Sequence, residues 1–162
     1  MLDIRFNNNK AFMAEHRAQY QRMMRDPHYR FIEALTPTML SIDPQMEVRP
    51  HKALSRIFRD TRFSRDKSPY RDHHWIAFRR VGEPRDQSIM FWFEARVESV
   101  SWGLGFWGEN RPAMDVFRRR MMADPKGFQK VLERVTDTGL RLAGDTYKRM
   151  KLPEELPEAL YP

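Results

Sequence analysis

The stretch QSIMFWFEARVESVSWGLGFW, Gln87 to Trp107, decides the fold. From Gln87 to Arg96, Ile89, Phe91, Phe93 and Ala95 alternate with Met90, Trp92, Glu94 and Arg96, the period of two that sends successive side chains to opposite faces of a strand. Glu98 to Trp107 repeats the pattern, with Val100, Trp102, Leu104 and Phe106 on one face and Ser101, Gly103, Gly105 and Trp107 on the other. With a turn at Val97 to Ser99, the pair reads as an antiparallel hairpin. Glycine weakens a strand unless something approaches the backbone closely, and a bulky neighbour such as Trp92 is expected beside Gly103 and Gly105 ahead of the alternative, the floor of a ligand site.

Helices flank this hairpin. Asn7, Asn8 and Asn9 offer capping oxygens ahead of Phe12, His16, Tyr20, Met23 and Met24, whose spacing predicts a helix over Lys10 to Arg25 with His16 as a core or boundary histidine. Asp26-Pro27 is itself a start signal, so a second, separately capped helix is expected up to Asp43-Pro44. Pro37 inside it predicts a kink or a restart capped by Thr36. Beyond the hairpin, Pro112 opens one helix and Asp124-Pro125 another, the latter with Phe128, Val131, Leu132 and Val135 on one side. Leu54 to Phe58, His74 to Arg79 and Leu140 to Leu142 read as further strands, and the tail from Tyr147 as a surface segment. This order is not alternating βαβ. It predicts an α+β fold in which helices pack on an antiparallel sheet built around a long hairpin, with residues 1–162 as a single domain.

At 162 residues and 41% hydrophobic, the chain can bury a single core, and this apolar content excludes a disordered class. Cysteine is absent, which removes disulfides, thiolate metal sites and cysteine nucleophiles from consideration. No apolar run approaches the ~18 residues of a membrane span, and MLDIRFNNNK lacks the apolar core of a secretory signal, so a soluble, cytoplasmic protein is expected. A formal charge of +7 and a pI near 10.0 favour polyanionic partners, nucleic acid among them.

That charge is concentrated in RIFRDTRFSRDKSPYR, Arg56 to Arg71, whose local charge of +4 is over half of the total. Arginine forks bind phosphate or carboxylate bidentately, so Arg56, Arg59, Arg62, Arg65, Lys67 and Arg71 are the candidate anion-binding residues, supported by Asp60, Asp66, Ser64 and Tyr70. In an extended segment, Arg59 and Arg62 would fall on opposite faces and could not both reach one ligand. A second account makes the motif a brace, in which Asp60 and Asp66 neutralise the arginines while Phe58, Phe63 and Tyr70 pack inward. A third gives Asp60 or Asp66 an acid/base role on an anionic substrate. His51, His73 and His74 bracket the motif, but adjacent histidines on a strand face opposite ways, so no metal site is expected, and no cofactor motif is present.

At this motif the chain resembles a widespread uncharacterised family of bacterial, fungal and plant proteins known as a domain of unknown function. The family's segment has the form R-I-[FY]-R-D-[TV]-R-F-S-[KR]-D-K-[ST]-P-Y-[KR], and Arg56 to Arg71 matches it throughout. The front, NNNKAFMAEHRAQY, and the back, GLGFWGENRP before an arginine-bearing helix, are also similar to the family. The resemblance implies a further helix before the Asn run, abbreviated here to MLDIRF, and more sequence after the Lys-Leu-Pro region, so truncation at one or both ends is expected. It implies no activity and no catalytic residues. It does make the motif the defining feature of the chain.

Overall fold

The structure, a computed structural model, describes residues 1–141, 143 and 144. The chain divides into two compact units, Met1–Glu109 and Asn110–Pro162.

In the first unit, α1 (Leu2–Phe6) precedes α2 (Lys10–Tyr20), a π-helical turn (Gln21–Arg25) and α3 (Asp26–Ile42). Asn9 caps α2, its side-chain oxygen accepting from the Phe12 N–H at 2.9 Å. The expected break at Asp26-Pro27 does not occur. Arg25 and Asp26 keep helical dihedrals, and the Asp26 N–H donates to Gln21 O, five residues back. Pro27 has no N–H to give to the preceding turn, and the wider π turn accommodates that gap without ending the helix. Pro37 is likewise absorbed: α3 runs through it, and Thr36, rather than capping a restart, donates its hydroxyl to Ile32 O at 2.9 Å.

A short α4 (Pro50–Ala53) leads toward the sheet, whose strands β1 (His74–Phe78), β2 (Met90–Ala95) and β3 (Val100–Gly105) pair antiparallel in the order β1-β2-β3. The register sets Ile76 opposite Phe93, Phe78 opposite Phe91, and Phe93 opposite Trp102. The Gln87 to Trp107 hairpin thus forms as read, closed by the Arg96 N–H donating to Ser99 O at 2.8 Å. Leu54 to Phe58 does not become a strand. It makes single bridges at Leu54 to Ile76 and at Phe58 to Tyr70, because the Ser55 hydroxyl takes the Trp75 N–H that a ladder would need.

The face of the sheet bearing Ile76, Phe78, Phe91 and Phe93 packs on Ile32 and Met39 of α3, forming the main core with Met46, Ala53 and Leu54. Ile32 and Ile76 are fully buried. A second cluster joins Ile4, Met13, Met24, Ile57 and Tyr70, so the N-terminal helices hold the arginine motif as well as the sheet. The fold is α+β with an antiparallel sheet.

The second unit contains α5 (Arg111–Ala123) and α6 (Pro125–Asp137). Asp124 caps α6 by accepting from the Gly127 N–H at 2.9 Å, and Phe117 meets Phe128 edge to face at 5.1 Å. Leu140 and Arg141 form no strand, and Leu142 and the Tyr147 to Pro162 tail lie outside the described residues.

Candidate functional site

The motif Arg56 to Arg71 is a loop with a paired base and a turned tip. At the base, the Arg71 N–H donates to Ile57 O at 2.8 Å and the Arg59 N–H to Pro69 O at 2.9 Å, around the Phe58–Tyr70 bridge. Two anchors hold this base. Ile57 and Tyr70 are buried against α1, α2 and the π turn. Asn8 clamps the Tyr70 backbone from both sides: its amide donates to Tyr70 O, and its carbonyl accepts from the Tyr70 N–H, both at 2.9 Å. A side-chain amide carries one donor and one acceptor on the same plane, so it substitutes for a neighbouring strand. The Asn run is therefore joined physically to the motif 62 residues later.

At the tip the chain turns at Arg62 and Phe63, and the charges are met locally. Arg62 is bidentate to Asp60, with Nε at 3.0 Å and Nη2 at 2.6 Å. Arg59 pairs with Asp66, whose other oxygen accepts from the Ser68 N–H and hydroxyl. Lys67 donates to Thr61 O at 2.8 Å. Asp60 is held at about 2 mainly by the Arg62 guanidinium, and Asp66 at about 2 by the Ser68 hydroxyl and amide with Arg59. Ser64 is half-buried, its N–H reaching Thr61 O at 3.4 Å. Of the three aromatics expected to pack inward, only Tyr70 does; Phe58 leans on its ring from an exposed position, and Phe63 is 94% exposed. The tip has too few apolar neighbours to bury a ring beyond the paired base.

Cations left over by the tip gather at the base. Among the described residues, Arg71 makes one side-chain hydrogen bond, from Nε to Phe58 O at 3.3 Å, and its guanidinium lies 4.5 Å from the Trp75 ring centroid. Arg85, from the β1–β2 connection, stacks 3.9 Å from the Trp107 centroid and 5.5 Å from that of Trp75. Neither forms an ion pair among the described residues. Partial burial, and then the charges of Arg59, Arg85 and Arg56, push Arg71 below the usual arginine value; burial followed by Arg79 does the same to Arg85. An arginine remains protonated through such shifts, so the base is a set of like charges on an aromatic surface. Arg56 and Arg65 are exposed and make no side-chain hydrogen bond among the described residues. Reading the sequence located Arg56, Arg59 and Arg71 and named Trp75 and Trp107 among possible stacking rings, but did not join Arg85 to them, because Arg85 lies 14 positions after Arg71 and only the sheet brings Trp75 close to both.

The histidines separate as strand geometry requires. His73 stacks on Trp75 at 5.7 Å and pairs with Asp72, while His74 points into the core and is fully buried. Ser55 Oγ accepts from the Trp75 N–H at 3.0 Å and shares a hydrogen bond with His74 Nδ1 at 3.1 Å. Nε2 has no partner among the described residues, and burial, followed by the nearby His28, pulls His74 down to about 4. No group of three potential metal ligands occurs among the described residues.

Behind the indoles, the face of the sheet turned away from α3 holds a cavity of about 300 Å³. Trp92 lies against Gly103, where an added Cβ would come within 3.0 Å of the indole, so the expected filling of that glycine holds. Nothing comes within 4 Å of a Cβ at Gly105.

None of the helices among the described residues is long and apolar enough to cross a membrane. No curated protein and no solved structure matches the chain at a significant level. The sequence model of one family covers residues 1–159, including the whole motif, its Asn8 clamp and the sheet: the chain belongs to the conserved hypothetical protein family DUF2461.

Proposed function

We propose that this protein works as a cytoplasmic, single-domain anion-binding protein that takes a phosphate or carboxylate group at the base of the motif loop, on Arg56, Arg59 and Arg71 together with Arg85. One observation carries the reading: Arg71 and Arg85 both lie over one indole, and among the described residues most of their N–H donors are unused and no carboxylate is bonded to either. Stacking occupies the face of a guanidinium and leaves its edge, where all five donors lie, free for a bidentate acceptor. Arg62, Arg65 and Lys67 at the tip add positive potential that attracts an anion without contacting it.

The enzyme reading has less support. Carboxyls held near 2 are ionised and weakly basic at neutral pH, whereas a general acid or base works best with a pKa close to the working pH. A nucleic-acid partner would draw on the same cations, and a steep fall of affinity with salt distinguishes it from a small anion.

The test is a titration of the protein with inorganic phosphate followed by amide NMR shifts. Shifts at Arg71, Trp75 and Arg85 that weaken about tenfold or more in Arg71→Gln, the loss expected for a charge-assisted hydrogen bond, support the proposal. Equal affinity in Arg71→Gln, or shifts confined to the Asp60–Ser68 tip, would falsify it.

A further inference from the structure

The cavity beside these arginines is built differently from an ion site. Its walls are Trp75, Trp92, Phe106 and Trp107, with Met90 among the lining residues and Glu94 as one of its few polar groups. An inorganic anion needs none of this apolar surface. A cavity of about 300 Å³ is at the small end of ligand pockets and suits one ring system with short substituents. Trp75 and Trp107, whose ring centroids are 6.1 Å apart, belong both to the cavity wall and to the surface on which Arg85 stacks. The cationic base and the aromatic cavity therefore share a wall.

We infer that the ligand is a planar, ring-bearing anion of about mononucleotide size: the ring enters the cavity against its indole wall, and its phosphate or carboxylate is held by Arg71 and Arg85. This rests on the anion-binding reading and extends it to a ligand class. Base-on-indole stacking contributes about 1–3 kcal/mol per ring and depends little on ring identity, so the cavity adds affinity for any flat ring that fits. Glu94 supplies orientation. Its carboxylate is paired with Arg96 at 2.9 Å and keeps a lone pair that can accept an N–H from the ring, which fixes the ring's end of the ligand there. The anionic end is thereby directed to Arg71 and Arg85.

The experiment compares adenosine 5′-monophosphate, adenosine and inorganic phosphate on the full chain, using tryptophan fluorescence and NMR. The nucleotide is expected to bind at least tenfold more tightly than either fragment and to quench the indoles. Phe106→Ala, at a cavity wall that stacks on neither Arg71 nor Arg85 and lies outside both buried clusters, is expected to lose that advantage while binding phosphate as the unaltered protein does. Phosphate binding with no gain for the nucleotide overturns the ring inference and leaves the anion reading standing. A nucleotide advantage that survives in Phe106→Ala, with no shift at Trp75 or Trp92, also overturns it. Adenosine binding as tightly as the nucleotide, with no response to phosphate, overturns the anion reading itself.

Discussion

The two ends of one sixteen-residue motif handle the same residue types in opposite ways. At the tip, Asp60 and Asp66 lie two to seven residues from Arg62 and Arg59, and every pairing closes within the loop. At the base, Arg71 meets one indole and Arg85 two, with the charges of Arg56 and Arg59 nearby, and among the described residues no carboxylate is bonded to Arg71 or Arg85. The tip is the brace and the base is the candidate site. The difference teaches that counting charge along a chain does not locate a binding site; what matters is charge left unmet after local pairing, set on a surface that excludes water.

The base is also the end tied into the core, and the largest expected effect follows from that. Tyr70→Ala removes a ring that is 6% exposed from the cluster with Ile57, Met13 and Met24, and is expected to cost about 4 kcal/mol in urea unfolding. Phe63→Ser at the tip should leave the midpoint unchanged. Comparable losses at the two ends would erase the contrast.

Acid sharpens the comparison by separating the ends in pH. The folded value of His74, about 4, lies below the unfolded value near 6.5, so the unfolded chain takes up a proton first. Its contribution is fully present above pH 6.5 and is lost as pH falls toward 4, on the order of 3 kcal/mol in all. For Asp60 and Asp66 the folded values, about 2, lie below the unfolded 3.8, so their contribution is present above pH 3.8 and is lost as pH falls toward 2. Stability measured against pH should therefore fall first in the upper window, with the Asp60–Ser68 amides still in their neutral-pH positions. A His74 ring that titrates near 6.5 by NMR would remove the upper window.

A smaller effect separates the arginines. In phosphate binding, Arg62→Gln should change affinity less than Arg71→Gln by a wide margin, since Arg62 already spends its donors on Asp60. If both weaken binding equally, the ligand sits at the tip. The smallest effect expected is on folding: Arg62→Gln should leave the thermal midpoint close to that of the unaltered protein, because an exposed pair gains little over hydration.

The antiparallel hairpin, its turn, the caps at Asn9 and Asp124 and the packing of Trp92 against Gly103 were legible in the sequence because each depends on residues near in the chain or on a strict period of two. The Asp26-Pro27 restart was not, since a cap-like dipeptide can also be absorbed by a π turn when the flanking helices pack on a common core. Leu54 to Phe58 failed as a strand for a similar reason, a serine hydroxyl substituting for the ladder.

The sequence by itself determined the α+β class, the position of the hairpin and the motif that marks the family, because propensity, alternation and a contiguous run of residues need no partner from elsewhere. Only the tertiary structure decided which end of the motif is satisfied. Asn8 had to reach Tyr70, Arg85 had to come over Trp75, and Trp107 had to close on both before the unmet arginines of the base could be told from the paired ones at the tip. Those are contacts between distant segments, set by how the sheet and the N-terminal helices pack, and no local pattern encodes them.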